Sequence, residues 1–415
     1  MAIIKPFKAL RPTTELAQQV ASKPYDVLSS SEARVEAKGN PHSFLHVTKS
    51  EIDLPETADV YSSVVYEKAK ANLEKFISEG ILFEEEKPCY YIYQLIMDGR
   101  SQTGLVCVSS VEDYFNNVIK KHEFTRPDKE QDRINHMKTI KAQTGNVFMA
   151  YRDVMEINAL INGWKATQKP VYDFTANDNV QHTVWIIDRD IVINSITQLF
   201  LTKVPNTYIA DGHHRAASAA KVSKEFPGNE AAKYFLTTIF PASQLKILDY
   251  NRVVNDLNEY SAEDFISALQ DDFMITQSTE PVKPSQLHEF GMYLNKEWYI
   301  LAARIGTYKN DPVGVLDVTI LSENVLSKLL GIKDQRTDKR IDFIGGIRGL
   351  QELEKKVDST DTPNKVSNKK VAFSFYPVCI EQLFDIADSG KVMPPKSTWF
   401  EPKLRDGLLT HTLYQ

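Results

Sequence analysis

The stretch that decides the fold of this chain is Thr207-Tyr208-Ile209-Ala210-Asp211-Gly212-His213-His214-Arg215-Ala216-Ala217-Ser218-Ala219-Ala220. Residues 207–210 predict a short apolar strand, and the alanine-rich run predicts a helix over residues 216–226, ended by Pro227-Gly228-Asn229. A strand that passes through a tight polar turn directly into a helix favours the α/β (α+β) class.

The turn between this strand and this helix has the chemistry of a phosphate site. The first turn of a helix has N–H groups without intrahelical partners and a partial positive charge, so phosphate binds there readily. Gly212 has no Cβ to hold a ligand away, and the Arg215 guanidinium can grip two phosphate oxygens. Asp211 is placed to bind a metal ion or accept a proton. The alternative is that Asp211 caps the helix and that His213 and His214 make ordinary hydrogen bonds.

Two other segments carry side chains suited to chemistry. The stretch Met393-Pro394-Pro395-Lys396-Ser397-Thr398-Trp399-Phe400 offers a lysine charge and two adjacent hydroxyls to a phosphate; its alternative is a rigid segment with a helix cap. The stretch Lys121-His122-Glu123-Phe124-Thr125-Arg126 offers Glu123 as a general base or metal ligand; its alternative is a solvated helix start.

Working outward, the hydrophobic pattern predicts an ordered succession of strands and helices. A hairpin is expected at Asp98-Gly99-Arg100, and the polar run 358–370 is expected to be a solvent loop. The remaining expectations are strands at 90–94, 103–109, 146–150, 183–188 and 233–240, and helices at 57–79, 111–121, 127–142, 155–168, 191–201 and 316–330.

Composition limits the class of protein. The chain has 415 residues, of which 42% are hydrophobic and 25% charged, values that are ordinary for a globular protein of two or three domains. Its 49 basic and 55 acidic residues give a formal charge of −6. This balance argues against a chain-wide nucleic-acid surface.

The cysteines and the N-terminus predict a cytoplasmic protein. Cys89, Cys107 and Cys379 form no Cys-x-x-Cys pair, which is typical of a reducing compartment and argues against a thiolate zinc site. Residues 1–12 lack the sustained apolar run of a signal peptide. No stretch approaches the roughly 18 apolar residues of a membrane span.

Several motifs together resemble a known family. They are Pro6-Phe7-Lys8-Ala9-Leu10-Arg11-Pro12, Pro24-Tyr25-Asp26-Val27, Asn40-Pro41, His122-Glu123, Asp132-Arg133, Asp211-Gly212-His213-His214-Arg215, Ile341-Asp342-Phe343-Ile344-Gly345-Gly346 and Met393-Pro394-Pro395-Lys396-Ser397-Thr398. The chain resembles the prokaryotic domain-of-unknown-function 1015 family of uncharacterised conserved proteins. Its central box is also similar to that of ParB/sulfiredoxin-fold proteins, above all the free serine kinases.

This resemblance implies a function and a set of roles. It implies a kinase that transfers phosphate from ADP or ATP, with Mg²⁺, to the hydroxyl of a free amino acid such as L-serine. It places Asp211 at the reacting hydroxyl or the magnesium ion, and Gly212, His213, His214 and Arg215 at the nucleotide phosphates. It implies that Lys396, Ser397 and Thr398 bind the small substrate, and we expect His122 to contribute to the same binding site. It also implies that Glu123 is the catalytic base.

Two other functions fit the same motifs. One is a regulatory protein of the ParB-like fold that binds nucleotide without chemistry, and the other is a nucleotide hydrolase. The expected partners are a nucleotide and an amino acid, without nucleic acid or membrane, and the sequence allows a homodimer. The expected organisation is an N-terminal α+β region (1–175) with the His-Glu box, a ParB-like core (176–258) and a C-terminal α+β region (259–415).

Overall fold

A computed structural model describes residues 1–359 and 370–414 and divides the chain into two compact units. The first unit comprises residues 1–121, 125–245 and 402–415, and the second comprises residues 122–124 and 246–401. The first unit thus holds most of the two leading regions expected from the sequence. The three-region organisation itself stays a prediction.

The described residues form strands and helices throughout, which confirms the α/β class. The helices are α1 (Ala17–Val20), α2 (Ser30–Ala37), α3 (Leu45–Thr48), α4 (Ser63–Ser78), α5 (Val111–Phe115), α6 (Pro127–Ile140), α7 (Met155–Thr167), α8 (Asp190–Lys203), α9 (His213–Glu225), α10 (Ala262–Leu269), α11 (Asp317–Leu321), α12 (Leu350–Asp358) and α13 (Ile380–Asp388). The strands are β1 (Ile4–Lys5), β2 (Ala9–Pro12), β3 (Leu82–Glu84), β4 (Tyr90–Met97), β5 (Arg100–Ser110), β6 (Ile119–Lys120), β7 (Ala142–Gln143), β8 (Val147–Tyr151), β9 (Tyr172–Thr175), β10 (Gln181–Ile187), β11 (Thr207–Asp211), β12 (Tyr234–Pro241), β13 (Ile247–Leu248), β14 (Tyr250–Val254), β15 (Phe273–Ser278), β16 (Glu289–Leu294), β17 (Glu297–Ala303), β18 (Ile341–Gly345), β19 (Val371–Phe375), β20 (Trp399–Phe400) and β21 (Thr410–Thr412).

The first unit is built on a nine-stranded mixed sheet. Its strand order is β6-β11-β8-β12-β5-β4-β10-β9, and β1 pairs with β5 beside this path. The pairs β11–β6 and β12–β8 are parallel, whereas the pairs β12–β5, β5–β4 and β4–β10 are antiparallel. A smaller antiparallel sheet in the same unit has the order β3-β2-β21-β7.

The hairpin of β4 and β5 forms where the sequence predicts it. Asp98 and Gly99, at the turn, both have positive φ, of 51° and 74°. A two-residue turn with φ positive at both positions matches the twist of the flanking strands, and Asp-Gly is a preferred pair there. The strands run further than expected, to Met97 and from Arg100, because the turn uses only two residues.

The main core of this unit lies between one face of the nine-stranded sheet and its helices. It joins sheet residues such as Ile92 and Met149 to Ala216, Ala219 and Ala220 of α9, all of them buried. Alanine presents no bulk beyond Cβ, so α9 packs closely on the sheet at Ala216, Ala219 and Ala220. This close packing fixes the point at which the helix begins.

The second unit contains a six-stranded antiparallel sheet. Its order is β15-β17-β16-β19-β14-β18, and α12 packs on it with Leu353 fully buried. A two-stranded ribbon, β13–β20, pairs Leu248 with Trp399. This ribbon places the residues just before Trp399 next to the start of β14.

Most predicted elements are confirmed to within a few residues, with three corrections. The helix expected over 57–79 begins only at Ser63, after a run of turns. The helix expected over 111–121 ends at Phe115, because Ile119 and Lys120 pair with β11 instead. The helix expected over 316–330 is α-helical only to Leu321 and continues as a π-helix over Ser322–Ser327. The expected loop at 358–370 lies mainly outside the described residues.

No helix within 1–359 or 370–414 combines the length and the apolar composition needed to cross a membrane.

Candidate functional site

The Asp-Gly-His-His-Arg box lies where β11 passes into α9. β11 ends at Asp211, Gly212 is the residue that precedes the helix, and α9 begins at His213. Gly212 has φ 98° and ψ 30°, a left-handed backbone conformation that residues other than glycine rarely adopt. Gly212, at the N-cap position, has no side chain with which to cap the helix, and the alternative that Asp211 caps it stays a prediction.

Asp211 is the accessible carboxylate of the box. Its side chain keeps 29% of its surface exposed, and the Nζ of Lys403 donates to its Oδ2 at 3.0 Å. Lys403 is itself mostly buried, with a side chain 13% exposed. The carboxylate therefore has a fixed position beside the start of the helix.

Arg215 is turned inward, beneath the helix start. Its guanidinium donates to the carbonyl of Asn146 and to Oδ2 of Asp26, and it lies 3.8 Å from Oδ2 of Asp211. A Cβ built on Gly212 would stand 3.3 Å from its Cζ. The side chain is only 9% exposed. The predicted grip of Arg215 on two phosphate oxygens stays a prediction, since its described partners are protein groups.

Electrostatics hold this arginine in its charged form. Burial alone would lower the pKa of Arg215, but the carboxylates of Asp26 and Asp211 outweigh it and the pKa is raised. The guanidinium thus supplies a permanent positive charge directly under Gly212. The carboxylates of Asp26 and Asp211 face this charge and balance it within the protein.

Asp26 and Asp211 converge on the same guanidinium nitrogen. Their Oδ2 atoms lie 3.2 and 3.8 Å from Nη2 of Arg215, and both side chains are partly exposed, at 37% and 29%. Mg²⁺ is commonly held by one or two carboxylates together with substrate phosphates. The pair fits that requirement, although within the described ranges no group of three or more His, Cys, Asp or Glu side chains forms a protein-only metal site.

A second set of buried ionisable groups lies near the box. Arg133 forms a two-pronged ion pair with Asp132 and lies 3.9 Å from the centre of the Tyr25 ring. The Asp406 carboxyl is 2% exposed, and its Oδ2 has no hydrogen-bond partner among the described residues. Burial raises the pKa of Asp406 to about 8, against the opposing charge of Arg215. We therefore expect this carboxyl to be protonated at neutral pH.

The two histidines of the box have different surroundings. His213 is buried, with 5% of its surface exposed, whereas His214 is partly exposed. The Nε2 of His214 accepts a hydrogen bond of 2.9 Å from the backbone N–H of Arg126. In the neutral ring the proton therefore lies on Nδ1. Their predicted contacts with phosphate stay predictions.

The other predicted site residues belong to the second unit. The backbone N–H of Met393 donates to the carbonyl of His122 at 2.8 Å, so the stretch with His122 and Glu123 lies beside the stretch with Lys396. Lys396 is exposed and has a positive φ of 57°. The hydroxyl of Ser397 donates to the carbonyl of Pro394 at 2.6 Å. Thr398 is partly exposed, and the substrate-binding and base roles of these residues stay predictions.

Comparison with known families supports the family assignment made from the sequence motifs. A model of the family described as a protein of unknown function, DUF1015, matches residues 4–319, about three quarters of the chain. The chain belongs to the DUF1015 family. The resemblance seen in the sequence motifs is therefore confirmed. No curated protein matches the chain.

Among solved structures, three are similar to this DUF1015 chain over most of their length. They are SbnI with a C-terminal truncation from Staphylococcus aureus (11% identity, TM-score 0.34, covering 72% of this chain and 85% of that one), a conserved hypothetical protein from Pyrococcus furiosus (13%, 0.36, 74% and 94%) and a free serine kinase in complex with AMP (12%, 0.36, 75% and 91%). The ParB/sulfiredoxin-like description of the core stays a prediction.

Three residues that contact the box, Lys403, Asp26 and Asp406, were not predicted from the sequence. Lys403 and Asp26 lie 192 and 189 residues from their partners in the box, and Asp406 lies beside Arg215 only in the folded chain. Asp26 had one signal, the Pro24-Tyr25-Asp26-Val27 motif. Nothing in the local pattern around Lys403 or Asp406 indicated a link to the box.

Proposed function

We propose that this DUF1015 chain is a nucleotide-dependent kinase of small molecules. It takes phosphate from ADP or ATP and transfers it to the hydroxyl of a free amino acid such as L-serine. The observation that supports this best is the start of α9, where a positive-φ glycine, a buried guanidinium and an accessible carboxylate lie within one turn.

The nucleotide phosphates bind at the first turn of α9 in this proposal. The amides of the first helical turn, residues 213–215, point toward the helix start, where anions bind. Arg215 contributes its charge from beneath Gly212, where an added Cβ would stand 3.3 Å from the guanidinium. His213 and His214 flank the phosphates in this proposal.

The bond changes are those of a simple phosphoryl transfer. The acceptor oxygen forms a bond to the terminal phosphorus, and the bond from that phosphorus to the bridging oxygen breaks, releasing AMP from ADP or ADP from ATP. A carboxylate, Asp211 or Glu123, accepts the hydroxyl proton. Positioning and electrostatic stabilisation carry most of the catalysis in such reactions.

Magnesium fits the two carboxylates at the box. Asp211 and Asp26 would hold the ion together with the phosphates, and the ion would supply positive charge against the charge that develops on the transferred group. Lys403 and Arg215 keep the Asp211 carboxylate in place before the nucleotide binds.

The test is direct. The chain is incubated with Mg²⁺, ADP or ATP and free L-serine, and phosphoserine is sought by ³¹P NMR and mass spectrometry. We expect product from the natural chain and at least about a hundred-fold less from Asp211→Asn, because a positioned acid or base contributes that much. Asp98→Asn, in the exposed hairpin turn where φ also suits asparagine, is the matched control and retains activity.

If no nucleotide is consumed with any amino acid or hydroxy acid tried, the proposed kinase activity is contradicted. A binding-only function is the second candidate, because both Lys403 and Arg215 contact Asp211, which also fits a structural role for that carboxylate. Nucleotide then raises the melting temperature, Asp211→Ala leaves binding intact, and no product forms. A hydrolase instead releases inorganic phosphate without an acceptor.

A further inference from the structure

A cleft of about 640 Å³ lies in the first unit, away from the Asp-Gly-His-His-Arg box. Its three walls are the segment that leads into β4, the end of α7 and the end of β10. In the nine-stranded sheet, four strands lie between β10 and β11, the strand that ends at Asp211. Ligand sites in proteins are concave and measure roughly 300–1,000 Å³, so this cleft has the size of a separate small-molecule site.

The walls of the cleft are tied to one another by hydrogen bonds. The indole N–H of Trp164, on α7, donates to the carbonyl of Ile186, on β10, at 3.0 Å. The Nζ of Lys87 donates to the carbonyl of Asp188 at 2.7 Å, which joins the segment before β4 to the end of β10. The cleft is therefore held in shape by the protein itself, as most ligand sites are.

The buried residues that line the cleft form an apolar floor. Trp164 and Cys89 have only 7% and 2% of their surface exposed, and the partly buried Val171 and Ile186 also line the cleft. Burial raises the pKa of the Cys89 thiol to about 11, so this side chain is neutral at physiological pH. An indole, a neutral thiol and two branched side chains favour contact with an apolar part of a ligand.

The wall near Cys89 carries negative charge. After burial, the carboxylates of Glu85 and Asp188 are the next causes of the raised pKa of Cys89, and they outweigh the nearby cations. Glu85 has its own ion pair with Arg11, at 2.5 Å. The exposed carboxylates of Glu86 and Asp188 form no ion pair in the part of the chain that the structure describes. These two acids therefore favour a cationic group of a ligand.

The wall at the end of α7 carries positive charge. Lys169 lines the cleft there, is exposed and forms no ion pair among the described residues. The guanidinium of Arg189 lies 5.5 Å from the ring centre of Trp164, so a second cation stands beside the indole. This wall therefore favours an anionic group of a ligand, and the cleft has opposite charges on different walls around one apolar floor.

We infer that this cleft binds a small zwitterion, an amino acid with an apolar side chain. Glu86 and Asp188 hold its ammonium group, Lys169 holds its carboxylate, and its side chain lies on the apolar floor. A ligand with a single charge would leave one of the charged walls without a partner. Such an amino acid has no hydroxyl to accept phosphate, so the inference goes beyond the proposed kinase reaction and does not depend on it.

Fluorine NMR of the full chain labelled with 5-fluorotryptophan tests this binding. The chain has four tryptophans, and the signal of Trp164 is assigned with Trp164→Phe. L-leucine is titrated at neutral pH and constant ionic strength. We expect a saturable shift of the Trp164 signal and no shift of the signal of Trp298, which lies in the second unit.

Analogues of leucine test its charges and its side chain separately. 3-Methylbutylamine lacks the carboxylate and 4-methylpentanoate lacks the ammonium group, and we expect each to bind about ten-fold more weakly than leucine. L-serine keeps both charges but lacks the apolar side chain, and we expect it also to bind about ten-fold more weakly.

Two variants assign the charges to residues. Lys169→Gln should weaken binding of leucine and 4-methylpentanoate about three-fold or more and leave binding of the amine unchanged. Glu86→Gln should weaken binding of leucine and the amine by a similar factor and leave binding of 4-methylpentanoate unchanged. Lys38→Gln and Glu15→Gln, at exposed positions that do not line the cleft, are the matched controls and change none of these affinities.

The absence of a saturable shift of the Trp164 signal with leucine overturns the inference. Equal affinities for leucine and its two analogues also overturn it, because the charged walls would then contribute nothing, and so does serine binding as tight as leucine binding. An affinity for leucine that neither Lys169→Gln nor Glu86→Gln lowers has the same consequence. Phosphoserine formation is measured separately, so failure of this cleft to bind and failure of the kinase reaction are distinguishable.

Discussion

Gly212 occupies the position on which the box depends. Its φ of 98° disfavours any L side chain, and an added Cβ would also meet the Arg215 guanidinium at 3.3 Å. Gly99 has a similar positive φ of 74° but open space around its Cβ position. Substitution of Gly99 therefore measures the cost of backbone strain alone, whereas substitution of Gly212 measures that strain together with the contact to Arg215.

We expect Gly212→Ala to destabilise the chain more than Gly99→Ala. The left-handed conformation costs about 1–2 kcal/mol in either variant. The contact with Arg215 adds to that cost at position 212 alone and displaces the group beneath the helix start. Urea unfolding measures the difference, and nucleotide affinity should fall only for Gly212→Ala. Equal effects of the two variants would contradict this account of the turn.

Asp406 makes stability depend on pH. Its pKa is raised by burial from 3.8 to about 8, so the folded chain keeps a proton that the unfolded chain releases. The resulting stabilisation is complete below about pH 4 and is lost as the pH rises through about 8. Stability therefore falls as the pH rises, whereas an ordinary ion-paired carboxylate makes stability rise with pH.

Asp406→Asn should remove this contribution. Urea unfolding of both chains at pH 5 and pH 9 measures it. We expect the natural chain to lose more stability than the variant between these values, since asparagine cannot release a proton. A natural chain and a variant with the same pH dependence would show that Asp406 titrates normally.

At the scale of elements, the junction of β11 and α9 is the feature most fully encoded in local sequence. The apolar run, the glycine and the alanines each favour the observed conformation, so the junction could be predicted from residues 207–226. The short strand β6 and the π-helix at Ser322–Ser327 could not, because pairing with β11 and tertiary packing override helical periodicity there.

The alanines of α9 set how close the helix lies to the sheet. Ala216 is fully buried in the core, one turn from the start of the helix. Ala216→Leu should cost about 1–3 kcal/mol through overpacking, and nucleotide affinity should fall because the first turn shifts. Lys224→Leu, on the exposed side of the helix, should change stability by no more than about 0.5 kcal/mol.

Thermal unfolding and nucleotide titration of both variants check this prediction. An Ala216→Leu chain as stable as the Lys224→Leu chain would mean that α9 does not fix the box through close packing.

At the scale of the whole chain, the first unit is completed by residues from both ends of the sequence. β21 pairs with β2 and β7, and the same C-terminal segment supplies Lys403 and Asp406 to the box. The motif family, the α/β class and the central box were accessible from the sequence. The partners of the box were not, since contacts across almost 200 residues leave no periodic trace in the chain.

The central claim is that a nucleotide phosphate binds at the start of α9. A crystal structure of the full chain with ADP and Mg²⁺ tests it most directly. The account predicts phosphate oxygens within hydrogen-bond distance of the amides of residues 213–215, with the ion beside Asp211. Phosphates bound elsewhere, or a start of α9 that stays closed over Arg215 with the nucleotide bound at another place, would contradict it.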